Sequence, residues 1–230
     1  ERQPFDGLRD GIDFRSVGSE PPKPEAGDRT TGSGWISRAV PRPNRLFTGR
    51  EDVLDRLHRA FALRGASLAD PQAITGLGGI GKTQTAIAYV YRHRAEYTRC
   101  FWANADTPAR LESSLAAIAA ELEIGRGSRL EDAADAARDW FRTHTGWLLV
   151  LDNADQLEAV APRFPPRHGG RLLITTRAAV PVRWAAGLAL SPLDPDMGAT
   201  LLLRRAGRLG IDGDLDTVSE VDRNLARRLS

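Results

Sequence analysis

The amino-acid sequence predicts an α/β fold, in which a parallel sheet is covered by helices on both faces and is followed by the start of a small helical subdomain. Three observations lead to this prediction. Short apolar runs alternate along the chain with segments whose apolar residues recur at helical spacing. The run Trp147–Leu151 is apolar at every position, as expected for a strand covered on both faces. Residues 76–83 are rich in glycine and join an apolar run to a helical segment.

The order of the predicted elements supports a parallel sheet. The predicted strands are short apolar runs: Ala73–Thr75, Cys100–Asn104, Trp147–Leu151, Arg171–Thr175 and Gly187–Leu190. The predicted helices carry apolar residues three and four positions apart: Arg50–Leu63, Lys82–Arg94, one opening at Pro108, one over 130–141, one opening at Asp194-Pro195, and Asp216–Leu229. Asp106 or Thr107 is expected to cap the helix that opens at Pro108. The last two helices have no strand after them and predict the helical subdomain.

Composition excludes several classes of function. The chain has 230 residues, 41% of them hydrophobic, which suffices for one sizeable core, and no apolar run is long enough to span a bilayer. A net charge of +2 is too small to predict nucleic-acid binding. The single cysteine, Cys100, excludes an internal disulfide, suits a reducing cytoplasm and is expected to pack in the core. His58, His93, His144 and His168 are scattered without metal-ligand spacing, so the sequence predicts no zinc site.

The segment Gly76-x-x-x-x-Gly81-Lys82-Thr83 is the phosphate-binding loop (P-loop) pattern. Its glycines allow successive backbone N–H groups to surround an anion, and the following helix directs its positive end at the same anion. We expect Lys82 to reach the β- and γ-phosphates and the Thr83 hydroxyl to ligate Mg²⁺. A glycine-rich turn without a ligand is disfavoured, because the pattern is complete and lies between a strand and a helix. The sequence therefore predicts a purine-nucleotide site.

The run Leu148–Asp152 is a hydrophobic strand that ends in an acid, the Walker B pattern. Asp152 is expected to hold Mg²⁺ through water. Fast P-loop ATPases usually place a second acid next, whereas this chain has Asn153, which can orient water but cannot accept its proton at neutral pH. Asp155 could serve as the base instead, or it could cap the short helix that follows. We therefore predict slow hydrolysis.

A third apolar strand ends in two hydroxyls and a guanidinium, Thr175-Thr176-Arg177. Arg177 is positioned to sense a γ-phosphate through bidentate hydrogen bonds. An ordinary surface arginine would be the simpler interpretation of this strand alone. In combination with the two preceding motifs, the sensing role is favoured.

The ordered set of motifs resembles the NB-ARC nucleotide-binding domains of STAND signalling ATPases, a group that includes apoptotic protease-activating factors and plant disease-resistance proteins. The residues that carry the resemblance are Phe47–Glu51 (FTGRE), Gly76–Thr83, Trp147–Asp155 (WLLVLDNAD), Leu172–Arg177 (LLITTR) and Leu190–Leu193 (LSPL). The Asp-Asn-Ala-Asp form of Walker B is similar to that of bacterial members with tetratricopeptide repeats. The resemblance divides the chain into an upstream tail and linker (1–43), a P-loop domain (44–190) and a truncated ARC1-like helical subdomain (191–230).

The resemblance implies a cytoplasmic ADP/ATP switch in signalling, including defence. ADP would hold a closed, inactive monomer, and exchange for ATP would accompany opening, oligomerisation and clustering of an N-terminal effector. This segment alone is expected to be monomeric, without a membrane or direct nucleic-acid partner. Phe47 and Arg50 would lie near the adenine and ribose, and Arg177 would report the γ-phosphate. The phosphates would be held by Gly76, Gly78, Gly79, Ile80, Gly81, Lys82, Thr83 and Gln84. The residues expected to act in catalysis are Lys82, Asp152, Asn153, Asp155 and Arg177, with Thr83 and Asp152 on the metal.

Some parts of the sequence depart from the family pattern. Asn153 puts a catalytic base in doubt, and the Gly-Leu-Pro-Leu motif expected after Leu229 is not in the sequence, so reduced affinity and incomplete autoinhibition are expected. Residues 16–34 are rich in proline, glycine, serine and charge and predict a linker. Residues 5–15 predict the tail of an upstream folded domain, and the segment Gly11–Arg15 has a faint resemblance to the last element of a TIR domain.

Two other functions remain open at this point. A turnover ATPase of the remodelling AAA+ kind shares the fold but needs a Walker B base, which Asn153 argues against. A transcription regulator with a DNA-binding N-terminal domain is compatible with the motifs, although the low net charge of this segment does not favour it. A kinase is least favoured, because no acceptor-binding element is evident.

Overall fold

The computed structural model describes residues 34–62, 71–125, 127–164, 169–181 and 185–229, and these ranges contain a parallel sheet of six strands. The strands are β1 (Trp35–Ile36), β2 (Gln72–Thr75), β3 (Arg99–Asn104), β4 (Trp147–Asp152), β5 (Arg171–Thr176) and β6 (Ala186–Ala189). The helices are α1 (Glu51–Ala62), α2 (Lys82–His93), α3 (Pro108–Glu121), α4 (Leu130–Thr143), α5 (Leu157–Val160), α6 (Pro195–Arg205) and α7 (Glu220–Leu229). The strands lie in the order β1-β3-β4-β5-β2-β6, so β2 is flanked by β5 and β6.

The predicted α/β fold class is confirmed, because every strand pair is parallel and helices cover both faces of the sheet. Alternate residues of each strand enter two separate cores. In β4, Leu149 and Leu151 pack with residues of α3 and α4, whereas Leu148 and Val150 pack with residues of α1 and α2. This two-sided burial explains why the strand is apolar at every position.

The five predicted strands are all present, with ends that differ by at most one residue from those expected. The edge strand β1 was not predicted, because a strand of two residues is too short to show a pattern of apolar positions. The prediction for the last helix was wrong at its start, which lies at Glu220 rather than near Asp216. Residues Leu215–Thr217 form a 3₁₀ turn instead, and Asp214 accepts a hydrogen bond from the N–H of Asp216 at 2.9 Å.

The cap of α3 is Thr107, whose hydroxyl accepts a hydrogen bond from the N–H of Arg110 at 3.3 Å. Asp106, the other predicted cap, lies in a cavity at the carboxyl edge of the sheet. The predicted core position of Cys100 is confirmed, since the residue is fully buried and burial raises the pKa of its thiol to about 12.

The segment after β6 has its own small apolar cluster, formed by Ala199, Leu203, Leu209 and Ala226. The division of the chain at 190/191 stays a prediction. Residues 1–33, and with them the predicted upstream tail and nearly all of the predicted linker, lie outside the described ranges. Within those ranges, no helix has the length and apolar character needed to cross a membrane.

The prediction that the histidines are scattered was wrong for two of them. The rings of His58 and His93 are stacked with their centroids 4.3 Å apart, beside the carboxylate of Glu96. The sequence separation of 35 positions hides this contact, which arises because α1 packs against α2. His168 lies outside the described residues.

Candidate functional site

The loops that carry the predicted site residues meet at the carboxyl edge of the sheet. The phosphate loop follows β2, Asp106 follows β3, Asn153 and Asp155 follow β4, and Arg177 follows β5. These four strands are consecutive in the sheet, in the order β3-β4-β5-β2. Because parallel strands all end at the same edge, residues distant in sequence are brought to one place, as in other open α/β sheets.

The phosphate loop has backbone angles that few residues other than glycine adopt. Gly79 and Gly81 have φ angles of +76° and +101°, a region in which an L side chain is strained. The loop is braced from within, because the Lys82 ammonium donates hydrogen bonds to the carbonyls of Gly76 at 2.9 Å and Leu77 at 2.8 Å. Thr85 closes the first turn of α2 by donating both its N–H and its hydroxyl to the Gly81 carbonyl. The glycines and the hydrogen bonds within the loop and at the start of α2 therefore determine the shape of the loop.

Oxygen donors lie together where the Walker B strand meets the phosphate loop. One carboxylate oxygen of Asp152 accepts hydrogen bonds from the hydroxyls of Thr83 at 2.9 Å and Thr175 at 2.5 Å. The N–H of Asn153 in turn donates to the Thr175 hydroxyl at 3.0 Å. A set of hydroxyl and carboxylate oxygens fits Mg²⁺, which prefers hard oxygen ligands and keeps several waters. Thr83 would hold the ion directly and Asp152 through water.

Asp155 and Arg177 form a tight pair. The carboxylate of Asp155 accepts hydrogen bonds from the Arg177 N–H at 2.6 Å and from its Nε at 2.5 Å, and from the Thr176 hydroxyl at 3.3 Å. Burial by itself would raise the pKa of the Asp155 carboxyl. The hydrogen bonds from Arg177 and Thr176 and the charge of Arg177 outweigh burial and hold this pKa below its ordinary value. Asp155 is thus a poor proton acceptor.

The lowered pKa predicts a pH-dependent contribution of Asp155 to stability. Because the pKa is lower in the folded than in the unfolded chain, the stabilisation is complete above the unfolded value, about 3.9, and is lost as the pH falls through the folded value. We expect Asp155→Asn to lower the urea midpoint at pH 7, and this difference from wild type to shrink as the pH falls below about 4. Asp139→Asn, at an exposed pair with Arg142, is the matched control. A difference for Asp155→Asn that does not change with pH would count against this assignment.

Two cavities flank the phosphate loop. The first, of about 470 Å³, is lined by the loop, by the ends of β3 and β4 and by Arg177. Its lining residues are Gly78, Gly79, Gly81, Lys82, Thr83, Gln84, Asp106, Asn153, Asp155 and Arg177. Arg177 lies against the loop, since a Cβ on Gly78 would stand 3.8 Å from its Cδ. This cavity combines backbone N–H groups, two cations and Mg²⁺-compatible oxygens, as a phosphate site requires.

The second cavity, of about 610 Å³, adjoins the first and shares Gly79, Gly81 and Gln84 with it. Phe47 and Arg50 line it together with Ile80, Gly81 and Gln84. Arg50 is 7% exposed and donates a hydrogen bond from Nη2 to the Ile80 carbonyl at 3.3 Å. Burial lowers the pKa of its guanidinium, and the charge of Asp52 opposes this effect. The cavity has apolar and polar walls and is large enough for a base and a ribose.

The structure brings nearly all predicted site residues to these two cavities. Gly76 and Asp152 line neither of them. Gly76 has a φ of +141°, and a Cβ there would lie 3.1 Å from the Leu190 carbonyl, so its role is to let the loop pass close to the chain after β6. Asp152 is 9% exposed and contacts the first cavity only indirectly, by accepting the hydrogen bond of the Thr83 hydroxyl.

Several lining residues were not predicted from the sequence. Asp106 lies in the phosphate-side cavity, and Arg42, Asn44, Leu193, Leu201 and Arg205 lie in the other. Asp106 lies shortly after the end of β3, as Asn153 and Arg177 lie directly after the ends of β4 and β5, and this pattern could have identified it. In the second cavity, Arg42 and Asn44 come from an irregular segment and Leu201 and Arg205 from α6, and no motif marks these four, whereas Leu193 ends the LSPL segment.

The sheet, the phosphate loop and the Walker B strand together define the chain as a P-loop NTPase, a nucleotide-binding module of the α/β class. A search of protein-family profiles finds no match. The chain is 28% identical over 167 residues to a nucleotide-binding leucine-rich repeat (NLR)-like protein of Hyaloscypha variabilis, covering 63% of this chain and 17% of that protein. It is 26% identical over 189 residues to the regulatory protein AfsR of Streptomyces griseus, covering 76% of this chain and 19% of AfsR. The chain thus spans less than a fifth of either relative.

Solved structures with a similar arrangement include two archaeal proteins. CDC6P from Pyrobaculum aerophilum is 20% identical, with a TM-score of 0.46 over 77% of this chain and 52% of that one. The ADP form of the Aeropyrum pernix ORC2 protein is 21% identical, with a TM-score of 0.48 over 83% of this chain and 58% of that one. These scores are too low to carry an inference about function.

Proposed function

We propose that the chain is the ADP/ATP-binding switch module of a STAND signalling protein of the NB-ARC type, with slow ATP hydrolysis. ADP would hold the resting state, and ATP would favour an open state of the whole protein that self-associates in the cytoplasm. The similarity to an NLR-like protein and to a regulatory protein supports a regulatory role. The stimulus and the effector would be determined by parts of the whole protein outside this chain.

The observation that carries the proposal is the position of Arg177 against the phosphate loop. A switch requires groups that interact differently with ATP and ADP, and moving an equilibrium from 1:99 to 99:1 takes about 5.5 kcal/mol of such preference. Arg177 holds Asp155 with its backbone N–H and its Nε, and no hydrogen bond with a described residue engages the two terminal amino groups of its guanidinium, which can meet an anion in the same cavity. A γ-phosphate would add an anion there that ADP does not have. The γ-phosphate would either compete with Asp155 for Arg177 or bind to Arg177 while Asp155 stays paired with it.

Slow hydrolysis follows from the residues after the Walker B strand. Asn153 has no acidic group, and Asp155 is neutralised by Arg177, so neither is suited to take a proton from water. Asn153 has a φ of +61°, a conformation that asparagine tolerates better than most residues and that directs the chain from β4 toward Asp155. Mg²⁺, when bound, would neutralise charge on the β- and γ-phosphates. The residues in hand thus favour retention of the nucleotide over turnover.

Removing the Arg177 side chain is expected to remove the preference between nucleotides. Since a hydrogen bond to a charged group contributes about 1.5–3 kcal/mol, Arg177→Ala should weaken ATP binding about 10- to 100-fold. It should leave ADP binding within about threefold of wild type. Titration calorimetry with ADP and with Mg²⁺ and a non-hydrolysable ATP analogue measures both affinities. Arg142→Ala, an exposed arginine paired with Asp139 on α4, is the matched control.

Two results would argue against the switch. Equal losses of ADP and ATP affinity in Arg177→Ala would mean that the arginine does not distinguish the nucleotides. A steady hydrolysis rate above about 1 s⁻¹ for the wild-type chain would instead favour a turnover ATPase. In that case Asp106, a carboxylate that lines the same cavity, would be the next candidate for the general base.

A further inference from the structure

We propose that His58, His93 and Glu96 form a binding site for a divalent transition-metal ion, with Zn²⁺ as the best-suited ion. The site lies on α1, at the end of α2 and on the 3₁₀ turn Arg94–Glu96. It shares no residue with either cavity at the phosphate loop. The proposal is therefore independent of the nucleotide function.

The three side chains offer one ligand atom each, and these atoms all lie within 4.8 Å of one another. One carboxylate touches both imidazoles, with 2.7 Å between Glu96 Oε1 and His93 Nδ1 and 3.6 Å between Glu96 Oε2 and His58 Nδ1. Bonds of about 2.0–2.2 Å to a tetrahedral Zn²⁺ place its ligand atoms about 3.3 Å apart. The ligand atoms of this cluster need to move by up to about 1.5 Å to reach that arrangement, and the partly exposed ring of His58, now stacked on His93, has to turn so that both rings direct a nitrogen at the same ion.

One ligand is held firmly and two can adjust. The His93 side chain is 9% exposed and is fixed between the rings of His58 and Tyr89, whose centroids lie 4.3 and 4.6 Å away. The side chains of His58 and Glu96 are 38% and 51% exposed. An ion can reach the site from solvent, and water can complete the coordination.

The electrostatics of the cluster also favour an ion. The Glu96 carboxylate approaches the Nδ1 atoms of both imidazoles, so an ion in the cluster would bind through these atoms and would have part of its charge offset by its carboxylate ligand. Arg92, which directly precedes His93, is paired with Asp55 at 3.2 Å, so its charge is compensated.

The donor set determines which ion fits. Two imidazoles and one carboxylate, with a position open to water, form the ligand set of many zinc sites. Imidazole also suits other late transition metals, whereas Mg²⁺ and Ca²⁺ prefer oxygen ligands alone. The cluster is thus chemically distinct from the oxygen donors around Asp152 and would not be filled by Mg²⁺.

A metal ion here would join α1 to the end of α2. Both helices begin at the nucleotide site, because Arg50 directly precedes α1 and Lys82 opens α2. Coordination would therefore restrain two helices that carry nucleotide-site residues at their other ends.

Titration calorimetry of the whole chain with ZnCl₂, in a buffer containing Mg²⁺ and ADP, tests the site. We expect one Zn²⁺ per chain, and His58→Ala and Glu96→Gln each to weaken binding by about tenfold or more. His144→Ala is the control, since this exposed histidine stacks on Trp140 and lies outside the cluster. Co²⁺ in place of Zn²⁺ should show the intense visible absorption of tetrahedral coordination in the wild type and lose it in His58→Ala.

Some outcomes would overturn the site. These are the lack of Zn²⁺ binding by the wild-type chain, or binding that is equally strong in His58→Ala, Glu96→Gln and His144→Ala. Both changed side chains are partly exposed, so the variants are expected to fold, and circular dichroism verifies this. A Zn²⁺-dependent rise in melting temperature that the wild type shows and His58→Ala does not is the second, independent measurement.

Discussion

Replacing Lys82 with alanine is expected to weaken the binding of both ADP and ATP by about 100-fold or more. A hydrogen bond that involves a charged group contributes about 1.5–3 kcal/mol, and an ammonium shared between two phosphates makes more than one. The loop also loses its internal brace, since Lys82 is the donor to the carbonyls of Gly76 and Leu77. Titration calorimetry with ADP and with Mg²⁺-ATP measures the loss.

Lys82→Met tests the ammonium separately from the apolar part of the side chain, because methionine keeps most of that apolar part and carries no charge. We expect Lys82→Met to bind as weakly as Lys82→Ala. The melting temperature of the nucleotide-free chain should fall in both variants, since each loses the hydrogen bonds of the ammonium to the carbonyls of Gly76 and Leu77. Affinities within about threefold of wild type in both variants would show that the loop does not hold the phosphates through Lys82.

Gly170→Ala is expected to cause the largest loss of stability, about 3 kcal/mol, with a fall in melting temperature of about 6–12 °C. A Cβ at this position would lie 2.0 Å from Cδ2 and 2.1 Å from Cε2 of Trp147. The indole cannot move away, because it is 1% exposed and its Nε1 donates hydrogen bonds to the carbonyls of Phe141 and His144. Gly170 directly precedes β5, so a backbone shift would disturb the pairing of Leu148 with Arg171.

Gly187→Ala is the matched control for Gly170→Ala. Gly187 lies in the edge strand β6, and a Cβ there would meet no atom within 4 Å. Its substitution should change the free energy of unfolding by no more than about 0.5 kcal/mol. Urea unfolding of the two variants compares them directly. Equal stability of Gly170→Ala and wild type would mean that Gly170 does not lie against the indole of Trp147.

The sheet and most of the nucleotide site could be predicted from the sequence because each is encoded locally. The strands β3, β4 and β5 are continuous apolar runs, and the phosphate loop and the Walker B acid are contiguous segments. The carboxyl ends of parallel strands meet at one edge, so the proximity of Lys82, Asp152 and Arg177 followed from the fold class alone.

Features that depend on tertiary pairing could not be predicted in the same way. The bond between Asp155 and Arg177 joins two strands 22 positions apart, and the sequence left Asp155 open as a base or a cap. The contact of His58 with His93 depends on how two helices pack, which no spacing along the chain reveals. The sequence left Asp106 and Thr107 as alternative caps of α3, and only the structure shows that Thr107 is the cap.

The most direct test of the proposed function is to denature the purified chain and identify the released nucleotide by ion-exchange chromatography. A switch module that retains its product predicts near-stoichiometric ADP in the released fraction. A released fraction without adenine nucleotide, together with no heat on titrating ADP or Mg²⁺-ATP into the native chain, would contradict the assignment of this site to an adenine nucleotide.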